Sequence, residues 1–350
     1  MSNDTTPQDD AIYDLAEAED AALAAKHTKP LSQGRLVLRR FLRHRAALIS
    51  TIVLIFIIIV AFTSVGFAGI PGWWDKSYLA AGNVIDGGRP TLSLIPTWLG
   101  GDGIRLGEHP LGQDSTGKDY FALVMVGTQR SLIIAFVVGI VATTIGAVMG
   151  AVAGYFRGWV DNVLMRITDI FIVIPLLVLA AVLGAIAGNA GGGIFALALM
   201  IGLVSWTGLA RLVRGEVLSL RERDYVAAAR STGASAFRII FKHLLPNTIG
   251  IIVVNATFAI GGAILLESSL SFLGFGVQPP ETSLGLLIST YQGAFTNRPW
   301  LFWWPGMIIL VIVLAVNFLG DGLRDAFDPR QTRKWSPRRL ERLRAEKGLS

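Results

Sequence analysis

The segment Gly112–Asp119, GQDSTGKD, has the spacing of a phosphate-binding loop, in which backbone amides and a lysine hold a nucleotide. Its last residue is Asp119, where such loops carry the Ser or Thr that binds Mg²⁺. No hydrophobic strand precedes the loop, a carboxylate would repel phosphate, and the charge distribution described below places the loop outside the cytoplasm. We therefore expect no nucleotide site here.

Other residue types that could do chemistry are isolated from one another. His109 has no second histidine or carboxylate at helical ligand spacing, and the chain contains no cysteine. Neither H-E-x-x-H nor G-x-S-x-G occurs. We expect a chain that is not an enzyme and binds no metal or cofactor of its own.

Two charged residues lie inside a hydrophobic run, which makes them functional candidates. Arg166 and Asp169 are one helical turn apart and close enough to pair. Either a structural ion pair or a role in a gate fits this spacing. Pro175 follows in the same run and predicts a kinked helix.

One hydrophilic stretch set between apolar runs, 216–247, predicts a helix, a turn and a second helix. Ala227, Ala228 and Ala229 fall on the first helix, Gly233 stands where a left-handed residue ends it, and Ser235 is placed to cap the second. An apolar stripe is predicted along the second helix, which Pro246 should end; the stripe comprises Phe237, Ile240, Phe241 and Leu244. Seven basic residues between Arg211 and Lys242 indicate the cytoplasmic side. We call this stretch the 216–247 hairpin.

Composition shows what must position these residues. Of 350 residues, 52% are hydrophobic and 16% charged, which predicts an all-α polytopic membrane protein. Runs long enough to cross a membrane number six, at about 46–67, 131–155, 163–186, 193–212, 248–270 and 303–323. Both termini are then cytoplasmic, and 25 of the 31 Lys and Arg lie inside. The net charge of +6 therefore indicates membrane topology and contact with the lipid bilayer, not nucleic-acid binding.

The remaining segments follow from this topology. A cytoplasmic N-terminal segment (1–45) is acidic and disordered at first and then basic, with arginines that anchor the first span (46–67). An extracytoplasmic loop (68–130) precedes a five-helix core (131–330) that contains the 216–247 hairpin, and a basic cytoplasmic tail (331–350) follows as an inner-leaflet anchor. The loop is rich in Trp, Gly and Pro, which suits an aromatic belt or a seat for an external binding protein.

Two features of the spans have open interpretations. Gly146, Gly150 and Gly154 repeat every fourth residue and allow close helix packing, either within this chain or with another subunit. Glu267 lies one turn from the outer end of its span, where snorkelling or capping would explain it.

The hairpin also resembles a known family. Two alanines are followed by Gly233, then by nine residues, then by two further residues and Leu245-Pro246. This spacing resembles that of the loop that binds the ATPase in permease subunits of ABC importers. The strings Arg223–Val226, His243–Asn247, His109–Asp119, Glu267–Gly276 and Asn317–Asp325 resemble the branch that imports dipeptides, oligopeptides and nickel. Ala227 departs from that pattern, which usually has glutamate, so one salt bridge to the ATPase is not expected.

The resemblance implies a type I importer permease in a bacterial or archaeal cell membrane. It implies a second homologous permease, two cytoplasmic ATPase subunits that hold ATP and Mg²⁺, and an extracytoplasmic solute-binding protein. The residues it implies for ATPase coupling are Tyr225, Ala227, Ala228, Ala229, Arg230, Gly233, Ala234, Arg238, His243, Leu245 and Pro246. Peptide is the expected substrate, nickel or another small solute is the alternative, and an ion-driven secondary transporter is the rival that composition alone would allow.

Overall fold

The computed structural model describes residues 33–93, 98, 103, 105–189 and 191–327. The acidic part of the N-terminal segment and the basic tail lie outside the described residues. Two units are distinguished, Met1–Arg43 with Asp325–Ser350, and His44–Arg324. In the first unit the described elements are α1 (Gln33–Phe41) and the last residues of α12.

The second unit is built from α-helices, and within the described ranges its only β pairing is isolated bridges in the outer loop. The helices are α2 (Arg45–Ser64), α3 (Tyr120–Phe156), α4 (Gly158–Val173), α5 (Leu176–Asn189), α6 (Gly193–Gly202), α7 (Thr207–Leu220), α8 (Asp224–Ser231), α9 (Ala236–Asn247, three consecutive segments), α10 (Ile249–Phe272), α11 (Leu284–Tyr291) and α12 (Trp300–Phe327). Helix α3 lies at the centre, packed against α2, α6, α7 and α10.

Four helices, α2, α3, α10 and α12, are each long and apolar enough to cross a membrane. Two bent pairs, α4 with α5 and α6 with α7, raise the count to six if each pair is one span. The prediction of a polytopic helical protein is confirmed, but the second predicted span was too short. Helix α3 begins at Tyr120, eleven residues before the predicted start, because the Asp119 side chain accepts from Ala122 N and caps the helix there.

The third predicted span is not a single kinked helix. Helices α4 and α5 meet at 87°. Ile174, before the proline, is extended with φ −77° and ψ 125°, and Pro175 O accepts the first amides of the next helix from Val178 and Leu179. Proline has no amide to continue α4 and disfavours a helical residue before it, so the helix ends and a new one starts.

The glycine stripe packs inside this chain. A Cβ at Gly146, Gly150 or Gly154 would meet the backbone carbonyl oxygens of Trp206, Ala210 and Arg214, respectively. These three residues lie at or on α7, so the stripe allows α3 and α7 to approach backbone to backbone. The sequence left open whether the glycines pack within this chain or against another subunit, and the structure shows that they pack within this chain.

Glu267 is fully buried, so snorkelling or capping is the wrong explanation. Its carboxylate accepts from Ser271 Oγ (2.7 Å) on α10 and Ser131 Oγ (3.1 Å) on α3. Ser131 Oγ also accepts from Leu284 N at the start of α11. Buried polar groups are stable only when they are hydrogen bonded, and this cluster joins α3, α10 and α11.

The loop that resembles a phosphate site is a closed turn. Asp114 Oδ1 accepts from the amides of Thr116 (2.8 Å) and Lys118 (2.9 Å), the groups that would otherwise face an anion. Asp114 Oδ2 accepts from Tyr291 Oη at 2.9 Å, and burial together with this carboxylate raises the pKa of Tyr291 well above its usual value. The turn thus joins the outer loop to α11.

Tryptophans of the outer loop divide between surface and interior. Trp74 donates to Asp119 Oδ1 (3.0 Å) and its ring lies 4.9 Å from that of Phe121, whereas Trp73 and Trp98 are exposed. His109 Nδ1 lies 2.7 Å from Asp119 Oδ2, so Asp119 joins two parts of the loop to the start of α3.

Candidate functional site

The local structure of the 216–247 hairpin follows its sequence. Helix α8 carries the three alanines, Gly233 has φ +79°, and Ser235 Oγ accepts from Arg238 N at 3.3 Å. Ala234 N then donates to Ala229 O, which closes the end of α8. The predicted helix, left-handed glycine and capping serine are confirmed.

Pro246 does not end the second helix as predicted. Helix α9 passes from Ala236–Arg238 through a π-helical stretch, Ile239–Leu244, into Leu245–Asn247, and the break before α10 lies at Thr248. Leu245 N donates to Ile240 O, five residues back. The wider π turn leaves room for a proline one residue later, which has no amide to donate and would crowd a regular α-turn.

The predicted apolar stripe is divided between the interior and the surface. Ile240 and Leu244 are buried, but Phe237 is 70% exposed and Phe241 41% exposed. The two rings stack on each other with centroids 4.4 Å apart. Phe237 and Phe241, half of the predicted stripe, therefore face outward as an aromatic pair.

The inner face of the hairpin rests on the ends of the central helices. Val226, Ile239, Ile240 and Leu244 form one buried cluster with residues of α3 and α7, namely Ala151, Val213 and Val217. Burial of this kind contributes roughly 1.5–3 kcal/mol for each large side chain. The hairpin is thus packed through buried side chains against α3 and α7.

Tyr155, near the end of α3, adds polar contacts to this base. The guanidinium carbons of Arg221 and Arg230 lie 6.0 and 5.8 Å from its ring centroid. Arg221 Nη1 also donates to Tyr155 O. Desolvation, and then the nearby charge of Arg157, lowers the pKa of Arg221 below its usual value.

The predicted coupling residues lie on one continuous segment but differ in exposure. Tyr225, Ala227, Ala228, Arg230, Gly233, Arg238 and Pro246 are exposed, whereas Ala229, Ala234, His243 and Leu245 are partly buried. Partial desolvation raises the pKa of Tyr225, which stays neutral at physiological pH. The outer face therefore offers small residues, an aromatic pair and arginines, and of these the aromatic residues and arginines are enriched at protein interfaces.

The predicted ion pair between Arg166 and Asp169 is not formed. Asp169 instead accepts from Arg211 Nη2 of α7 at 2.5 Å, and Arg166 is exposed on α4. Arg166 and Asp169 start from neighbouring positions on the surface of α4, but α7 places Arg211 directly opposite Asp169. The sequence rule for one helix was overridden by packing between two.

A second pair between the same helices is more buried. Arg214 donates from Nε to Asp161 Oδ1 (2.6 Å) and from Nη2 to Oδ2 (2.7 Å), a bidentate geometry, and the Asp161 side chain is 11% exposed. Bidentate arginine–carboxylate pairs are the strongest and most directional of ion pairs. Helix α7 thus connects the hairpin to α4, whose far end is the break at Pro175.

Sequence reasoning missed the Asp161–Arg214 pair and the outward aromatic pair. Asp161 and Arg214 are 53 residues apart, and no local spacing signals a contact at that separation. Phe237 and Phe241, four residues apart, signal that they share a helix face, but not that this face points outward.

Comparison with known families gives two matches. The model described as binding-protein-dependent transport system inner membrane component matches residues 142–333, and the N-terminal TM domain of oligopeptide transport permease C matches residues 32–71. The first covers more than half of the chain and includes the whole hairpin.

Curated relatives match over most of their length. The oligopeptide transport system permease protein OppC of Mycobacterium tuberculosis (strain H37Rv) is 37% identical over 302 residues, 86% of this chain and 96% of that protein. A putative peptide permease of Brucella ovis is 36% identical over 293 residues, 83% of this chain and 89% of that protein. OppC of Haemophilus influenzae is 35% identical over 292 residues, 83% of this chain and 87% of that protein.

Among solved structures, a chain of the inward-facing MetNI methionine ABC transporter is 21% identical, with a TM-score of 0.48, covering 59% of this chain and 97% of that chain. The family match and the curated relatives agree with the helical, membrane-spanning structure. The chain belongs to the binding-protein-dependent transport system inner membrane components, the permease subunits of ABC importers, which act together with ATPase and solute-binding subunits.

Proposed function

We propose that this chain is one of two homologous permeases of a peptide importer. The relative from Mycobacterium tuberculosis is named an oligopeptide permease, and the relative from Brucella ovis is named a putative peptide permease. These names support peptide over nickel as the substrate class. In this proposal two ATPase subunits hold ATP and Mg²⁺, an extracytoplasmic protein delivers the peptide, and this chain has no ATPase site or cofactor of its own.

The 216–247 hairpin is the surface that binds an ATPase subunit. The observation that carries this is its two-sided construction: Val226 and Ile239 are buried against α3 and α7, while Ala227, Ala228 and the Phe237–Phe241 pair are exposed. Small residues allow a close approach, and exposed aromatic side chains are the type that supplies most binding energy at protein interfaces. A merely connecting turn would not need this outward aromatic pair.

Movement of the ATPase then reaches the membrane through α7. The hairpin, the ends of α3 and α7 and the Asp161–Arg214 pair form one packed unit, so displacement of the hairpin displaces α4 as well. Helix α4 ends at the 87° break at Pro175, where the two helices can change their angle without breaking a continuous helix. We infer that this break opens and closes the peptide pathway.

A pull-down of the tagged chain in mild detergent, made with its partner subunits, tests the docking surface. The variant is A227W/A228W, because both alanines are exposed, whereas Ala229 packs against the hairpin's own core. The matched control is A80W/A81W, two adjacent exposed alanines of the outer loop. Two indoles on the docking face should lower retention of the ATPase by at least about tenfold, as loss of a binding hot spot does.

The expected result is that wild type and control retain the ATPase and the second permease, and the hairpin variant loses the ATPase alone. Retention of the ATPase by A227W/A228W would show that the hairpin is not the docking surface. Wild type recovered alone, or only as copies of itself, would overturn the whole proposal. ATP-dependent uptake of labelled peptides, in competition with Ni²⁺, then identifies the substrate class.

A further inference from the structure

Helix α1, next to the first span, has two unlike faces. Arg35 and Arg39 are four residues apart, and Arg43 follows at the same interval just beyond the helix. At about 100° per residue, these arginines fall within an arc of roughly 80°. Val37, Leu38 and Phe41 occupy an arc of about 100° on the other side. Helix α1 is therefore strongly amphipathic, and it has no acidic residue.

Its apolar side is only partly covered within the described part of the chain, where Val37 and Phe41 are partly buried. Leu38 is 56% exposed, and Leu42, just after the helix, is 54% exposed. A helix of nine residues is too short to be stable in water without a surface to bury its apolar face. Some apolar surface must therefore be available to α1 in the cell.

Chain length limits where that surface can be. Only Leu42, Arg43 and His44 separate Phe41 from α2, which begins at Arg45 and is one of the four membrane-crossing helices. Three residues reach at most roughly 10 Å. His44 Nδ1 accepts from Ala47 N at 3.1 Å and so fixes the start of α2. Helix α1 is thus held at the depth of the lipid headgroups, a layer of similar thickness.

Charge selects the kind of lipid. Guanidinium groups bind phosphate oxygens in a bidentate manner, and the cytoplasmic leaflet carries the anionic phospholipids. We propose that α1 lies in the plane of the cytoplasmic membrane surface, with Val37, Leu38 and Phe41 in the acyl boundary and Arg35, Arg39 and Arg43 on anionic phospholipid headgroups. This inference requires neither the ATPase nor the substrate, so it stands apart from the proposed function.

The chain has no cysteine, which permits a direct test on the full-length protein. Single cysteines at Val37, Leu38, Arg39 and Phe41 are spin-labelled after reconstitution into vesicles of phosphatidylcholine alone or with phosphatidylglycerol. Collision with oxygen reports lipid, and collision with a water-soluble nickel chelate reports water. With phosphatidylglycerol, labels at 37, 38 and 41 should favour oxygen and the label at 39 should favour the chelate.

The contribution of the arginine charges to membrane binding is measured with the spin label at position 38. The variant R35Q/R39Q/R43Q should reduce the ratio of lipid-bound to water-exposed label by at least about fivefold in phosphatidylglycerol vesicles, the effect of one arginine near an anionic surface. The matched control R35K/R39K/R43K keeps the charge and should retain most of the effect. If the glutamine variant fails to insert, the same charge contribution is measured on the protein that keeps its arginines. The fraction of phosphatidylglycerol in the vesicles is then raised stepwise while the ratio of lipid-bound to water-exposed label is recorded.

Three results would overturn the inference. Equal chelate access at all four positions would place α1 in water. Labels at 37 and 41 protected from both reagents would show that protein, not lipid, covers the apolar face. An identical pattern with and without phosphatidylglycerol would remove the selectivity for anionic lipid.

Discussion

Replacing Gly150 by alanine tests the close packing between α3 and α7, which fixes the position of the hairpin. A Cβ at Gly150 would lie inside the contact distance of Ala210 O, 2.9 Å from Val213 Cβ and 3.0 Å from Arg214 N. Two of these three neighbours are backbone atoms in a helix, which cannot rotate away. The two helices must therefore separate.

The magnitude follows from two opposing effects. Inserting a methyl group into a packed interface typically costs about 1–3 kcal/mol, and alanine gains about 0.5–1 kcal/mol over glycine in a helix. The net effect is destabilisation by up to about 2.5 kcal/mol. At roughly 2–4 °C per kcal/mol, the unfolding midpoint should fall by up to about 10 °C.

Gly215→Ala on α7 is the matched control, because a Cβ there meets nothing within 4 Å. It keeps only the gain in helix propensity, so its midpoint should rise by about 1–4 °C. The midpoints are measured by thermal unfolding of the purified chain in lipid nanodiscs, at one protein concentration. The two substitutions are therefore distinguished by the sign of the shift.

A second readout connects packing to coupling. Helix α7 carries the buried base of the hairpin, so a displaced α7 should also lower peptide uptake per ATP hydrolysed in the assembled importer. The backbone contact between α3 and α7 would be refuted by equal shifts of the midpoint, in the same direction, for Gly150→Ala and Gly215→Ala.

The remaining predictions concern the hairpin, the ion pairs and the buried carboxylate. Gly233→Val should reduce ATPase retention in the pull-down, whereas Gly233→Asn should retain it, because asparagine tolerates the left-handed backbone that a β-branched residue resists. Asp161→Asn should destabilise the chain by about 1.5–3 kcal/mol, because Arg214 loses its bidentate charged partner. Asp169→Asn, at a 44% exposed site, should cost about 0–1 kcal/mol, and equal shifts in thermal midpoint would contradict this difference. Glu267→Ala should lower the midpoint more than Glu267→Gln, since only glutamine still offers an acceptor to the serines around it; the reverse order would show that the hydrogen bonds contribute little.

Features that depend on a few neighbouring residues were predictable. Gly233 ends α8 in a left-handed conformation and Ser235 caps α9, because both are requirements of backbone geometry at a helix end. The spacing of Gly146, Gly150 and Gly154 likewise predicted a close helix contact, although it could not identify the partner helix.

Features that depend on a distant neighbour were not. Asp169 pairs with Arg211 across 42 residues instead of with Arg166 on its own helix, since the position of α7 decides which arginine is nearest. Glu267 near the end of a span suggested the solvent, but serines from α3 and α10 donate to its carboxylate. Phe237 and Phe241 were predicted to share one apolar stripe with Ile240 and Leu244, but the structure buries only Ile240 and Leu244.

The sequence by itself determined the membrane class, the family resemblance and the helix–turn–helix of the hairpin, because hydrophobic length, charge asymmetry and capping are local properties of the chain. Only the tertiary structure decided that Pro175 separates two helices at 87°, that α7 joins the hairpin to α4 through Asp161 and Arg214, and which face of the hairpin remains free. These depend on how helices distant in sequence pack together, and a contact of that kind leaves no spacing in the sequence from which it could be read.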